Sequence, residues 1–377
     1  MKSPLLSRRI RVLHVIKNLN YGGMERILAD IVRRTDPSRF DKHILALSYL
    51  GRFSTGLDDA ATLHVAKHMS RWSLLWPRTL ARQIRRIAPD VVHTHSGVWY
   101  KTSLAARLAG VRRLIHTEHG RPHPDHWYRK FVERLAAKHT DVIVAVSEPL
   151  AQYHRAHWIA PERHKICMIL NGVDTDLYRP RPDPGTVRRE LGIDAGTPVL
   201  GSVGRLETIK GYDVIVEAFR RLHAKWENGP RPILVVGGEG AERSHLEALV
   251  TAYGLRDEIR FLGWRDDVHD LYATLVLFTL ASRSEGTSVS LLEAMSAGLC
   301  PVVTDVGGNA DILGEELKHR LVPPEDPVAL TNAWENALKD LARRERDARV
   351  ARSRVTARFG LDSMVKSYEQ LYARDYS

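Results

Sequence analysis

Residues 281–308 read Ala281-Ser-Arg-Ser-Glu285-Gly-Thr-Ser-Val-Ser-Leu-Leu-Glu293-Ala-Met-Ser-Ala-Gly-Leu-Cys-Pro-Val-Val-Thr-Asp-Val-Gly-Gly308. Two carboxylates, Glu285 and Glu293, stand with seven residues between them. Gly286 and the hydroxyl residues Thr287, Ser288 and Ser290 follow the first. Leu291, Leu292, Ala294, Met295 and Ala297 give the second a helical setting. Pro301-Val-Val-Thr304 reads as a short buried strand with Asp305-Val-Gly-Gly308 as its exit. The stretch therefore predicts strand end, loop, helix, strand and loop. A carboxylate in a loop and another in the next helix can hold two parts of one ligand. The helix N-terminus between them offers free N–H groups to anionic oxygens.

Working outward, the same alternation repeats. Val199–Val203, Ile233–Val236, Ile259–Leu262 and Leu275–Leu280 are strand-like runs separated by helical patterns. Towards the N-terminus, Ile10–Ile16, Lys42–Leu47, Val91–His93, Arg113–Thr117 and Val142–Val146 do the same. Glu25–Arg34 shows helical spacing, with Ile27, Leu28, Ile31 and Val32 on one face. Strands alternating with helices predict α/β domains with doubly wound parallel sheets. Tyr178-Arg-Pro-Arg-Pro-Asp-Pro-Gly185 interrupts the series as an extended linker. A chain of 377 residues is long for one core. Two Rossmann-like domains are expected, residues 1–180 and 181–358. A last helix within 359–377 carries Met364, Val365, Tyr368 and Leu371 on one face. Leu341–Arg358 alternates in sign and reads as a solvated helix.

Hydrophobic residues make up 44% and charged residues 27%, an ordinary globular balance. No apolar run is long enough to span a bilayer, and residues 1–10 hold no signal core. Cys167 and Cys300 read as buried thiols in a reducing cytosol. The charge is lopsided. Residues 1–180 hold 30 Lys+Arg against 15 Asp+Glu, a balance of +15, and 181–377 hold 26 against 30, or −4. The first half is expected to meet an anionic partner or surface, the bland alternative being a solvated basic face.

Several residues stand where such sheets bind ligands. Gly22-Gly23 follows the first strand, where backbone can approach a phosphate, although Gly-Gly marks many ordinary turns. Gly204-Arg205-Leu206 leaves the strand Val199–Val203, and Lys210 follows five residues after Arg205. Carboxyl ends of parallel strands face the ligand crevice, and these two cations can neutralise a pyrophosphate there. His116 and His119 end the run Arg113–His119 and point to opposite sheet faces. His93 and His95 share one face; with no carboxylate or cysteine beside them they read as cleft lining rather than metal ligands. Gly237-Gly-Glu-Gly240 lacks the spacing of a dinucleotide fingerprint. Met69–Arg86 mixes Trp72, Leu74, Leu75 and Trp76 with five arginines, which suits an interfacial segment or a helix with a basic outer face.

The run around Glu285 and Glu293 resembles the donor-binding segment of retaining nucleotide-sugar glycosyltransferases of the GT-B fold, family 4. Tyr21-Gly-Gly-Met-Glu25, His116-Thr-Glu-His-Gly-Arg121, Asn171-Gly-Val-Asp174 and Gly204–Gly211 match in the same order. The resemblance implies two Rossmann-like domains facing a central cleft, with the last helix, within 359–377, crossing back to the first domain. It implies that Gly204, Arg205 and Lys210 stabilise a departing UDP or GDP, and that Gly22 and Gly23 contact the diphosphate. Glu285, with Gly286, Thr287, Ser288 and Val289, would contact the transferred sugar; many members carry a bulky residue or Pro where Thr287-Ser288 stands. Glu293 would bind the ribose hydroxyls. His119 would touch the donor sugar or the reacting centre. Trp264 and Arg265, in Phe261–Asp267, match the nucleobase loop or are plain surface loop. His93, His95, His116 and Arg121 would line the acceptor cleft.

The expectation is a metal-independent hexose or N-acetylhexosamine transferase with no cofactor. Its donor is a nucleotide-diphosphate sugar, and its acceptor a glycan or lipid-linked glycan in cell-envelope or exopolysaccharide synthesis. It is expected in the cytoplasm, with possible contact at an anionic membrane face and no nucleic-acid partner. A non-catalytic polyanion-binding protein and a nucleotide-cofactor dehydrogenase are the alternatives.

Overall fold

The computed structural model describes residues 8–20, 22–66, 77–120, 127–156 and 165–374. The chain forms two compact units. The first comprises residues 1–171 and 362–377, and the second Gly172–Leu361.

The first unit holds β1 (Ile10–Asn18), α1 (Gly23–Arg34), β2 (Phe40–Tyr49), β3 (Thr62–Val65), α2 (Arg78–Ile87), β4 (Val91–His95) and α3 (Trp99–Leu108). It continues with β5 (Arg113–Glu118), α4 (Trp127–Lys138), β6 (Val142–Ala145), α5 (Glu148–Ala156) and β7 (Ile166–Met168). The sheet order is β3-β2-β1-β4-β5-β6-β7, and every pairing is parallel. Parallel strands are covered on both faces, which is why these runs are apolar without alternation. Val12, Leu13, Val15 and Ile16 of β1 are buried completely.

The second unit holds α6 (Thr186–Leu191), β8 (Val199–Val203), α7 (Tyr212–Lys225), β9 (Ile233–Gly237), α8 (Arg243–Ala252), β10 (Ile259–Gly263) and α9 (Val268–Thr274). Then come β11 (Leu277–Leu280), α10 (Val289–Ser296), β12 (Pro301–Thr304), α11 (Asn309–Leu313), β13 (Leu321–Val322), α12 (Pro327–Lys339) and α13 (Leu341–Arg358). The order β10-β9-β8-β11-β12-β13, again all parallel, is that of a dinucleotide-type sheet. In each sheet the winding reverses between two central strands, β1 and β4 or β8 and β11. Ligands collect beyond the carboxyl ends of strands at such a reversal.

One helix differs from the sequence expectation. Helix α13 is not merely solvated. Asp347, Ala351 and Val355 are buried, Arg352 donates to the Ser296 carbonyl at 2.8 Å, and Arg354 donates to the Ile312 carbonyl at 2.7 Å. Its arginines thus meet the carboxyl ends of α10 and α11, where the helix dipole favours cations. Helix α14 (Leu361–Ala373) packs on the first unit, with Tyr368 and Tyr372 fully buried. The stretches entering and leaving the second unit lie side by side: Val173 N donates to the Phe359 carbonyl at 2.8 Å, and Leu361 N to the Val173 carbonyl at 3.0 Å. Among the described residues no helix is long and apolar enough to cross a membrane.

Candidate active site

In the second unit three strand exits are tied together. After β8 the chain passes Gly204 and Arg205 to a short turn at Thr208–Lys210 and then Gly211, which caps α7. Gly211 has φ +64, and a Cβ there would lie 2.0 Å from the Ala281 carbonyl oxygen. Only glycine allows both the left-handed backbone and that approach. After β12, Gly307 repeats the device: φ is +54, and a Cβ would lie 1.8 Å from the Glu285 carbonyl oxygen. Arg283 closes the third side. Its backbone N–H donates to the Ile209 carbonyl at 2.8 Å. Its guanidinium binds Asp213 at 3.0 and 2.7 Å, Glu325 at 3.0 Å and the Thr208 carbonyl at 2.5 Å.

This frame brings Lys210 to Glu285, with Nζ 2.6 Å from Oε1. Ser282 Oγ donates to the same oxygen at 2.7 Å. Gly286, Thr287 and Ser288 are buried beside them, and the Gly308 N–H donates to the Gly286 carbonyl at 3.0 Å. Ser288 caps α10, its Oγ accepting from Leu291 N at 3.4 Å, and Val289 begins the helix. Arg205 is more open, its side chain 46% exposed and paired with Glu207 at 2.7 Å. An exposed pair of this kind contributes little and can be exchanged for an anionic ligand.

Glu293 is buried in α10, and Tyr272 of α9 donates to its Oε2 at 2.9 Å. A carboxylate held this way is fixed in orientation and keeps its charge satisfied. Trp264 is only half-buried, its Nε1 donating to Asp266 at 2.9 Å. Arg265 is fully engaged by Glu190 at 2.8 and 2.9 Å and by Asp267 at 2.8 and 2.7 Å. Its guanidinium braces α6 against the β10–α9 turn, so it offers no open fork to a nucleobase. The expectation of metal independence rests on the absence of an Asp-x-Asp pattern, yet Asp174-Thr175-Asp176 spells one. Asp174 Oδ1 accepts from Asp176 N at 3.1 Å and Leu177 N at 2.9 Å. That is a turn-forming aspartate.

In the first unit Gly22 and Gly23 open α1, with the Gly22 carbonyl accepting from Arg26 N at 3.1 Å. Tyr21, Arg121, Trp72 and Trp76 lie outside the described residues. The histidines depart from the sequence reading. His93, His95 and His116 do not line a cleft: each is fully buried. His93 binds Tyr372 Oη at 2.8 Å and Thr117 Oγ1 at 2.7 Å. His116 stacks on Trp99 with centroids 3.9 Å apart and binds Thr94 Oγ1 at 2.8 Å. Burial on both faces of a central strand is the reason, since even polar side chains there point into packed layers. His95 Nδ1 meets His119 Nε2 at 3.0 Å, and His95 Nε2 meets His14 Nδ1 at 3.2 Å. His14 had given no signal, being one polar residue in an apolar strand.

His119 stands past the end of β5, its backbone N–H donating to Ser96 Oγ at 2.8 Å. Ser96 in turn donates to Glu118 Oε1 at 2.5 Å. Burial opposes the Glu118 charge, but its neighbours His116, His154 and Ser96 bring its pKa down to about 2. Burial pushes His119 down to about 4, with Glu118 opposing and His116 adding. His119 is thus a neutral imidazole at neutral pH.

The family model described as Glycosyltransferase Family 4 matches residues 21–177. The model described as Glycosyl transferases group 1 matches residues 185–354. The Escherichia coli UDP-Gal:alpha-D-GlcNAc-diphosphoundecaprenol alpha-1,3-galactosyltransferase is 27% identical over 86% of this chain and 87% of its own length. The Corynebacterium urealyticum D-inositol 3-phosphate glycosyltransferase is 27% identical over 75% of this chain and 71% of its own. The crystal structure of Anabaena HepE with UDP and glucose superposes with a TM-score of 0.83 at 20% identity, covering 97% of this chain and 100% of that one. That likeness shows the GT-B fold.

Proposed function

This chain belongs to the family 4 glycosyltransferases, and we propose that it moves a hexose or N-acetylhexosamine from a nucleotide-diphosphate sugar with retention at the anomeric carbon. The observation that carries the reading is the Lys210–Glu285 pair at the reversal of the second sheet, with Arg205 beside the same strand exit. Lys210 and Arg205 face the leaving diphosphate, Glu285 and the Gly286–Val289 turn hold the sugar, and Glu293 holds the ribose. The N-terminus of α10 adds free N–H groups to the same charge. Gly22 and Gly23, at the start of α1, are a further place where backbone can approach a phosphate. A UDP-sugar is the favoured donor, GDP-mannose the next, since one relative uses UDP-galactose and the HepE structure holds UDP.

Front-face displacement suits these residues. The bond from the anomeric carbon to the diphosphate breaks, and its electron pair leaves with the phosphate oxygen. The acceptor oxygen bonds to the same face of that carbon, and its proton passes to the departing phosphate. Lys210 and Arg205 stabilise the charge that grows on the diphosphate. No cofactor or metal is needed for this step.

The acceptor is a glycan or lipid-linked glycan of envelope or exopolysaccharide synthesis. Two relatives act on phosphate-bearing acceptors, one of them lipid-linked, and the first half of this chain is strongly basic. Helix α4 exposes Tyr128 and Phe131, 54% and 61% accessible, alongside Lys130 and the exposed Arg134. That combination suits the surface of an anionic membrane.

The test is turnover of UDP- and GDP-sugars, with the anomeric coupling of the product read by NMR. An inverted product would remove the retaining mechanism, and no release of UDP or GDP from any donor would remove the transferase reading. Co-sedimentation with anionic and neutral vesicles across a salt series tests the membrane face; equal binding to both lipids would leave a soluble acceptor.

A further inference from the structure

His14, His95 and His119 lie in one line across the first sheet. Their contacts, 3.2 Å and 3.0 Å, each join two ring nitrogens. In each contact one nitrogen must carry hydrogen and the other a lone pair. A neutral imidazole has a single N–H. Fixing one ring therefore fixes the next, and all three carry hydrogen on the same kind of nitrogen: Nδ1 throughout, or Nε2 throughout. Burial lowers the pKa of all three, so neutral rings are the species present.

The two senses are not equivalent. The Lys42 ammonium acts on the His14 end of the line, and the Glu118 carboxylate acts on the His119 end. With hydrogen on each Nδ1, the N–H bonds point from His14 towards His119. The lone-pair end is then on the Lys42 side of the line and the N–H end on the Glu118 side, although Lys42 Nζ itself donates to the Val32 and Thr35 carbonyls and Glu118 accepts from Ser96. The opposite sense sets the line against both charges. His93 lies against His95, ring centroids 4.3 Å apart, and takes no part in the line because Tyr372 and Thr117 occupy both its nitrogens.

The line ends on an atom with nothing to bind. His119 Nδ1 is buried and has no hydrogen-bond partner among the described residues. A buried N–H without an acceptor is costly and persists where a ligand supplies one. We propose that His14 and His95 are positioning residues that hold the proton of His119 on Nδ1, so that His119 donates a hydrogen bond to a sugar oxygen. The role of the bound sugar rests on the transferase reading above; the protonation pattern does not.

A rival use of these rings is a divalent cation on His14, His93 and His95, whose ligand atoms lie within 4.8 Å of one another. Both nitrogens of His93 and of His95 are already hydrogen-bonded, so a cation would have to break the line.

The experiment is long-range proton–nitrogen NMR of the ¹⁵N-histidine-labelled whole protein, without substrate. The expected result is Nδ1–H on His14, His95 and His119, each a single tautomer. Nε2–H on His119, averaged tautomers, or movement of the His14, His93 and His95 signals with one equivalent of zinc would overturn the proposal. His14→Asn keeps a donor near the Nδ1 position, and His14→Leu removes it. His14→Asn should keep the His119 tautomer. His14→Leu should let it average and lower kcat about tenfold, the value of one hydrogen bond, with KM for the donor unchanged. Equal kcat in the two variants would overturn the positioning role. If no donor is turned over at all, the transferase reading fails while the spectra still decide the tautomer.

Discussion

Lys210→Met and Glu285→Gln, made singly and together, separate what this pair does for stability from what it does for chemistry. The partners lie 2.6 Å apart with side chains 18% and 8% exposed. Removing one leaves the other short of water. The cost should be about 2 kcal/mol, below the range for fully buried pairs because water still reaches Lys210 and Ser282 still bonds Glu285. For a unit of this size about 1 kcal/mol shifts Tm by 2–4 °C, so each single variant should melt roughly 4–8 °C lower. The double variant buries two neutral groups and should lose no more than about 1 kcal/mol. Turnover should behave differently. Each single and the double should fall about 10²-fold or more, because the charge needed by the leaving diphosphate is gone in all but Glu285→Gln, which loses the sugar contact. Thermal melts and initial rates of nucleotide release on the same preparations give both numbers. A double variant that regains turnover would refute the active-site assignment. One that melts lower than both singles would refute the account of the pair.

Glu293→Gln should weaken nucleotide binding more than it slows the chemical step, and Tyr272→Phe should do the same by about 3- to 10-fold, since it only frees the carboxylate to turn; calorimetry with UDP reads both, and unchanged affinity in both variants would remove Glu293 from the nucleotide site. Activity should survive EDTA; loss with chelator and recovery with Mg²⁺ or Mn²⁺ would show that a cation takes part. Acid should destabilise the first unit. His14 and His119 have pKa values lowered to about 3 and about 4, so between those values and the ordinary 6.5 the unfolded chain binds more protons. Their contribution is complete above pH 6.5 and lost as pH falls; Glu118, lowered to about 2, adds loss below its ordinary 4.5. The unfolding free energy from urea melts should therefore fall from pH 7 to pH 5, by about 1–2 kcal/mol per pH unit, and a flat profile would contradict the buried neutral rings.

The sequence made the central strands legible because parallel strands covered on both faces leave long apolar runs. The short edge strands Thr62–Val65, Ile166–Met168 and Leu321–Val322 left no such trace. Edge strands are half-covered, so their composition is not constrained in the same way. In the second unit the places of Arg205, Lys210 and Glu285 after strand exits, and of Glu293 inside the following helix, could be read from the sequence pattern. Arg283 and Tyr272 could not, since their work depends on partners up to seventy residues away, at Asp213 and Glu293. The histidines show the same limit. Spacing correctly put His93 with His95 and set His116 apart from His119, but periodicity says nothing about what covers a face. Here α14 covers it with Tyr368 and Tyr372, and the rings became interior groups.

That covering helix bears on the order in which the chain can fold. The second unit is one continuous stretch, and its two ends are hydrogen-bonded to each other through Val173, Phe359 and Leu361. It can close on itself as soon as those residues leave the ribosome. The first unit is started earlier and finished later. Its seven strands are made by Met168, yet two of its fully buried aromatic side chains, Tyr368 and Tyr372, arrive only after the whole second unit has been synthesised. Until then His93 and the face around it lie bare, a surface that a nascent-chain chaperone would have reason to shield. Nonsense or frameshift lesions near residue 361 would accordingly leave a folded second unit attached to an unfinished first one, a product prone to aggregate rather than one that merely lacks a tail.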